Sequence, residues 1–199
     1  MGWKMKKISI VANACAVVIL LSGLVMAENS APKDWNIAGS KPEAYVIQVD
    51  PAQKSAYGKS VSLTSKGDAN ETTTATLMQA IKADDYRGKR VRFAGYIKGQ
   101  GVKSWAGLWM RVNDAADKAT ILDNMEKRAF RGDGDWRKFE VVLDIPGDSA
   151  KISFGMLLVG QGRIWVSGLD FQIVDATVPV TAKSSVPELS RKPVNLELN

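Results

Sequence analysis

Apolar and polar side chains alternate along residues 105–113, Trp-Ala-Gly-Leu-Trp-Met-Arg-Val-Asn. Strand side chains point to opposite sides in turn, so Ala106, Leu108, Met110 and Val112 form one apolar face and Trp105, Trp109, Arg111 and Asn113 the other. The first face has the composition of a core. The second sets two flat rings beside a guanidinium and an amide, equipment suited to a polar ligand that also has apolar faces.

Short alternating or β-rich runs of this kind recur past residue 40, with glycine, aspartate and asparagine between them. They predict strands over 44–49, 59–65, 72–79, 90–98, 105–113, 119–123, 137–145, 150–159 and 163–174. In 90–98, Val91, Phe93, Gly95 and Ile97 take one side, and Arg90, Arg92, Ala94, Tyr96 and Lys98 the other. Phe139, Val141, Leu143 and Ile145 repeat the alternation in 137–145, as do Ile152, Phe154, Met156 and Leu158 in 150–159. Residues 79–86 have some helical character, closed by Gly88 as a stop. The expected fold class is all-β, an antiparallel β-sandwich with at most one short helical turn.

Both ends of the chain differ from this middle. Lys4, Lys6 and Lys7 precede an apolar run from Ile8 to Val25, which ends in Val25-Met26-Ala27, small residues at the position of a signal-peptidase site. Residues 1–27 are expected to act as a secretory signal that exports the rest to the periplasm or beyond the cell. Membrane contact follows only if the segment is retained as an anchor. Residues 28–175 then form one domain. From 176 to 199 the chain reads as a proline- and serine-bearing tail, ending in an alternating Asn195-Leu196-Glu197-Leu198-Asn199 that could pair as a strand.

Composition narrows the chemistry. The chain has no histidine, and its single cysteine, Cys15, lies inside the apolar run. Disulfides, thiol or imidazole nucleophiles and thiolate or imidazole zinc sites are therefore absent from the domain. Three of the 27 basic residues are in the signal, so 24 against 21 acidic residues leave a charge of +3. The basic residues are scattered, which gives no support to nucleic-acid binding.

Several motifs occur in a consistent order: Tyr86-Arg87-Gly88-Lys89-Arg90-Val91-Arg92-Phe93, the 105–112 strand, Asp123-Asn124-Met125, Trp136 with Phe139 to Pro146, Phe154-Gly155, and Gly162-Arg163-Ile164-Trp165-Val166. That order, over about residues 35–175, resembles galactose-binding-like jelly rolls of the kind used as carbohydrate-binding modules. It is similar to a bacterial subgroup of such domains, some of them joined to transcription regulators. The resemblance implies a jelly-roll topology and a glycan or small polar ligand. Jelly rolls carry many unrelated sites, so it implies no particular ligand. The family usually places adjacent acids before its final strand, associated with a structural calcium ion. Ser167-Gly168-Leu169-Asp170 here keeps one acid, which puts that ion in doubt, and no other cofactor is expected.

Ligand-binding candidates follow from the faces. Trp105 and Trp109 would stack, while Arg111, Asn113, Arg92, Tyr96 and Gln79 would supply donors and acceptors. Burial of both tryptophans under a loop or a second sheet is the alternative. Asp123 and Asn124 either border the same groove or close a local turn. Gly132-Asp133-Gly134-Asp135 lacks the regular oxygen supply of a calcium loop and reads as a hairpin turn. Glu140 and Asp144, four residues apart on one strand, stand roughly 13 Å apart, too far for a glycosidase pair. The expected function is an exported, non-catalytic binding module. Two alternatives are a protein-interaction domain using the aromatic face or terminal strand, and a carboxylate-dependent hydrolase.

Overall fold

The computed structural model describes residues 31–53 and 55–182. Residues 1–27, expected to act as a signal, and the terminal pentapeptide lie outside the described residues. Nine strands are described: β1 (Asn36–Ala38), β2 (Tyr45–Asp50), β3 (Ser60–Ser65), β4 (Thr74–Lys82), β5 (Arg90–Asp114), β6 (Ala119–Asp123), β7 (Phe130–Asp144), β8 (Ser149–Val159) and β9 (Arg163–Val174). All pairings are antiparallel.

β5 organises the fold. Its N-terminal half, 90–100, pairs with β7 on one side and β9 on the other, and β9 continues to β3 and β2. Its C-terminal half, 105–114, pairs with β6 and β8, and β8 continues to β4 and β1. Two layers result, joined through one strand, and this is the antiparallel jelly-roll sandwich expected from the sequence. The inward side chains Val91, Phe93 and Ile97 from one half meet Leu108, Met110 and Val112 from the other in a single core.

Core positions on β5 therefore change from odd to even numbers between Ile97 and Val102. Register shifts against β7 fall in that stretch, where Gly101 has φ +60°. A β-bulge inserts a residue and bends the strand, which turns β5 from one layer into the other without ending it. The expected gap between two strands is thus a bent, continuous one.

The partner strand bends at the same corner. Gly132-Asp133-Gly134-Asp135 is part of β7, not a hairpin turn, with Gly134 opposite Gly99 and Gly132 opposite Val102. The Phe130 ring fills the corner, and a Cβ on Gly99 would come within 2.3 Å of it. Asp133 accepts the Gly101 amide at 2.7 Å.

Helical structure is confined, among the described residues, to two 3-10 turns, Pro42–Ala44 and Glu126–Arg128. The helical character expected over 79–86 is overridden at its start, where Gln79 to Lys82 continue β4 and pair with β8. A hydrogen-bonded turn follows, with the Tyr86 and Arg87 amides donating to the Ala83 carbonyl, and Gly88 ends it at φ +71°.

Ordered contacts extend past the expected boundary at 175. The Arg90 guanidinium donates to the Ala176 and Val178 carbonyls, and Thr181 exchanges hydrogen bonds with both backbone groups of Val142 on the edge of β7. Residues 176–182 close that edge and do not behave as a linker.

Candidate functional site

The outward side of the layer containing the C-terminal half of β5 can be read row by row from the register. Met78, Gly155 and Trp109 stand side by side, then Ala80, Ser153, Arg111 and Leu122, then Lys82, Lys151 and Asn113. On the other side of Trp109 lie Thr76, Leu157 and Gly107, followed by Thr74, Val159 and Trp105.

Gly155 lets β4 approach β8 closely, since a Cβ there would come within 2.2 Å of the Leu77 carbonyl oxygen. The Trp109 indole reaches across β8 to β4, where its Nε1 donates to the Thr76 hydroxyl at 2.7 Å. That hydroxyl donates in turn to the Met156 carbonyl at 2.8 Å, so each group has a partner. The ring lies against the sheet and is 8% exposed, yet it is outside the hydrophobic core cluster. Trp105 is half-buried on the same face. Four residues separate the two, about 13 Å by strand rise, which makes them two stations along a surface. Trp109 is buried and Trp105 half-buried, and neither belongs to the central core cluster.

Polar groups gather at the other end of this face. Asn113 is 2% exposed, its Nδ2 donates to the Asp117 carbonyl at 2.8 Å, and its Oδ1 is buried without a partner. Arg111 is half-buried and its Nε is buried without a partner. Asp117 pairs with Lys151 at 2.5 Å, and the hydrogen bond from that ammonium, then its charge, holds the Asp117 carboxyl below the usual range, with a smaller contribution from Arg111.

The other candidates lie elsewhere. Gln79 shares the inward side of β4 with Ala75 and Leu77. Arg92 and Tyr96 project outward from the opposite layer, because their strand neighbours Val91, Phe93 and Ile97 point into the common core. There Arg92 faces Asp170 at 3.7 Å, and Tyr96 stacks on Tyr57 with ring centres 3.4 Å apart. Asp170, the remaining acid of the stretch compared with a calcium site, also accepts from Gln172. Among the described residues no group of three or more Asp, Glu, Cys or His is placed to hold a metal ion.

Asp123 and Asn124 close a turn. The Asp123 carboxylate, 6% exposed, accepts two bonds from Arg128 at 2.9 and 2.7 Å and one from the Met125 amide at 2.9 Å. Burial alone would raise its pKa, but the hydrogen bonds from Arg128, Thr181 and Met125 outweigh that and hold it below the usual range. Asn124 Oδ1 accepts from the Glu126 amide, while its backbone passes beside Gly107. Asn124 thus stands at the margin of the aromatic face and Asp123 beneath it. Asp144, for its part, is bound by Arg90 at 2.7 and 2.8 Å.

A hollow of about 550 Å³ lies on the other layer between Val49–Asp50 and Gly58–Lys59. Its carboxylate is occupied: Asp50 accepts from Trp165 Nε1, Arg163 and the amides of Ala52 and Gln53. The Trp165 hydrogen bond is the main reason its carboxyl sits below the usual range.

Thr76, Gly155 and Lys151 were not among the sequence candidates, although the first holds the Trp109 indole and the last pairs with Asp117. The Thr74, Thr76, Met78 alternation and the lone glycine in Phe154-Gly155-Met156 were the available signals. They become informative once the register sets them beside Trp109.

The architecture is an antiparallel jelly-roll β-sandwich, a fold shared with solved carbohydrate-binding modules. Among solved structures, the chain is similar to the CBM22-1 xylan-binding domain of Xyn10C from Paenibacillus barcinonensis, with a TM-score of 0.51 and 15% identity, covering 75% of this chain and 91% of that one. It is also similar to a xylan-binding domain from CBM 22, with a TM-score of 0.52 and 10% identity over 76% and 96% of the two chains. No family model matches the sequence. The chain is 40% identical over 169 residues to the uncharacterized HTH-type transcriptional regulator YbfP of Bacillus subtilis (strain 168), covering 82% of this chain. It spans 56% of that relative's length.

Proposed function

We propose that this protein is an exported, non-catalytic binding module for a carbohydrate or another small polar ligand with flat apolar faces. The ligand lies on the outward face of β4, β8 and the C-terminal half of β5. Trp105 stacks against it, Trp109 forms part of the floor, and Arg111 and Asn113 meet its polar groups. One observation carries this reading: two tryptophans, one half-buried and one buried, lie outside the central core cluster on a sheet face that also holds a buried, unpaired guanidinium nitrogen. A buried polar atom without a partner costs stability, and a ligand that supplies the partner recovers it. The xylan-binding domains of the same fold support a glycan, and the signal-like residues 1–27 support export.

The test is a glycan array probed with the purified protein, followed by calorimetry on each hit. Trp105→Ala is expected to abolish binding and Tyr96→Ala to leave it unchanged. Loss with Tyr96→Ala and none with Trp105→Ala would move the site to the other layer and overturn the assignment.

A protein-docking role is favoured by one feature, Leu122, which is 53% exposed beside Arg111 and extends the apolar surface. An array without hits, together with a partner lost on Leu122→Ser, would establish that role instead.

A further inference from the structure

We infer that the ligand of this face is an acidic glycan, a chain bearing uronate residues, and that Arg111 takes its carboxylate; this rests on the binding-face reading above. The charge pattern is one-sided. The outward positions on β4 are Thr74, Thr76, Met78, Ala80 and Lys82; those on β8 are Lys151, Ser153, Gly155, Leu157 and Val159; those on β5 are Trp105, Gly107, Trp109, Arg111 and Asn113. Three cations stand there and no acid. Asp117, in the turn after β5, is paired with Lys151 and only weakly coupled to Arg111, so the face keeps a net positive charge.

Arg111 is the informative one. It makes no hydrogen bond or ion pair among the described residues, although it is half-buried and its Nε is wholly out of solvent. A guanidinium partly withdrawn from water and given no acceptor is costly, and a planar carboxylate on its Nη edge supplies charge-assisted bonds. The neighbours of Arg111 across the sheet are Ser153 and then Ala80, both small and neither an acid.

Asn113 is its neighbour on the face. Its amide nitrogen is held by the Asp117 carbonyl, which turns the unpaired Oδ1 away from that turn as a buried acceptor one alternate position from Arg111. A uronate offers Arg111 a carboxylate, and a neutral sugar leaves Arg111 without a bonded acid.

The experiment uses the full chain in titration calorimetry with three probes: a galacturonate hexamer, the same hexamer with its carboxylates reduced to alcohols, and a sulfated neutral hexamer. An array of glucuronate-, mannuronate- and guluronate-bearing chains extends the search to other uronates. The acidic glycan is expected to bind about tenfold or more tightly than its reduced counterpart, with the advantage shrinking as salt is raised from about 20 to about 300 mM. Arg111→Gln is expected to erase the preference, bringing the affinity for the acidic hexamer down to that for the reduced one. Lys151→Gln, which frees Asp117, is expected to weaken it severalfold, with circular dichroism confirming the fold in both. Equal binding of acidic and reduced hexamers, both lost in Trp105→Ala, would overturn the acid preference and leave the binding face standing. Sulfate bound as tightly as carboxylate would overturn the carboxylate assignment. Binding of neither acidic nor neutral glycans would remove both readings.

Discussion

Trp109 and Trp105 share a face but are held differently, so replacing them one at a time should separate support from contact. Trp109→Ala removes a ring that is 8% exposed and donates to Thr76 at 2.7 Å. Truncating a fully buried tryptophan costs about 3–5 kcal/mol, of which a neutral hydrogen bond accounts for about 0.5–1.5 kcal/mol. Because Trp109 keeps a small exposed fraction and lies outside the central core cluster, about 3 kcal/mol is expected. For a domain of this size that lowers the melting temperature by roughly 6–12 °C. Trp105→Ala, at a half-buried position, should cost about 1 kcal/mol or less while removing ligand affinity. Trp109→Phe combined with Thr76→Val in a double-mutant cycle isolates the hydrogen bond, with a coupling of about 1 kcal/mol expected. Thermal unfolding by circular dichroism measures all of these. A Trp109→Ala midpoint within about 2 °C of the parent would show that the ring does not lie on the sheet as described.

Arg128→Ala leaves the buried Asp123 carboxylate without its two-bond partner and should destabilise by about 2 kcal/mol near neutral pH, less than a fully buried pair because Arg128 is partly exposed. Asp123 has a folded pKa below its unfolded value of about 3.9, so the stability it contributes is present above that value and is lost as pH falls through the lower folded one. The Arg128→Ala penalty should therefore shrink toward about pH 3 in urea unfolding, and an equal penalty at both pH values would rule out charge pairing as its source. Truncation after Val178 removes the Thr181 bonds to Val142 and opens the β7 edge, so a loss of about 1–3 kcal/mol with concentration-dependent self-association is expected. Sedimentation showing an unchanged monomer of unchanged stability would contradict it.

The alternation in 105–113 was legible because burial enforces it: Ala106, Leu108, Met110 and Val112 are all fully buried and their neighbours face outward. The expected strands from β2 to β9 follow from the same signal. β1 was not readable, since three residues cannot display a period. The glycines at 99, 101, 132 and 134 read as turn formers, and their role in two bends is visible only when the strands are paired across the corner. The composition of the site was half legible for a geometric reason. Periodicity states which side of its own strand Arg92 or Tyr96 occupies, but outward sides in two stacked layers point in opposite directions. Gln79 was assigned outward in the absence of a register, and its alignment with Leu77 places it inward. Asp123 was recognised as a turn residue or a rim residue, and its burial against Arg128 came from a partner five positions away.

The bulge between Ile97 and Val102 sets the phase of everything after it on β5. Deleting a single residue there would rotate the following stretch by half a period, turning both indoles and the guanidinium toward the interior and exposing Leu108 and Met110 to water. The recognition surface is therefore inherited from a corner on the far side of the strand, and its identity depends on how many residues that corner contains as much as on which side chains follow it.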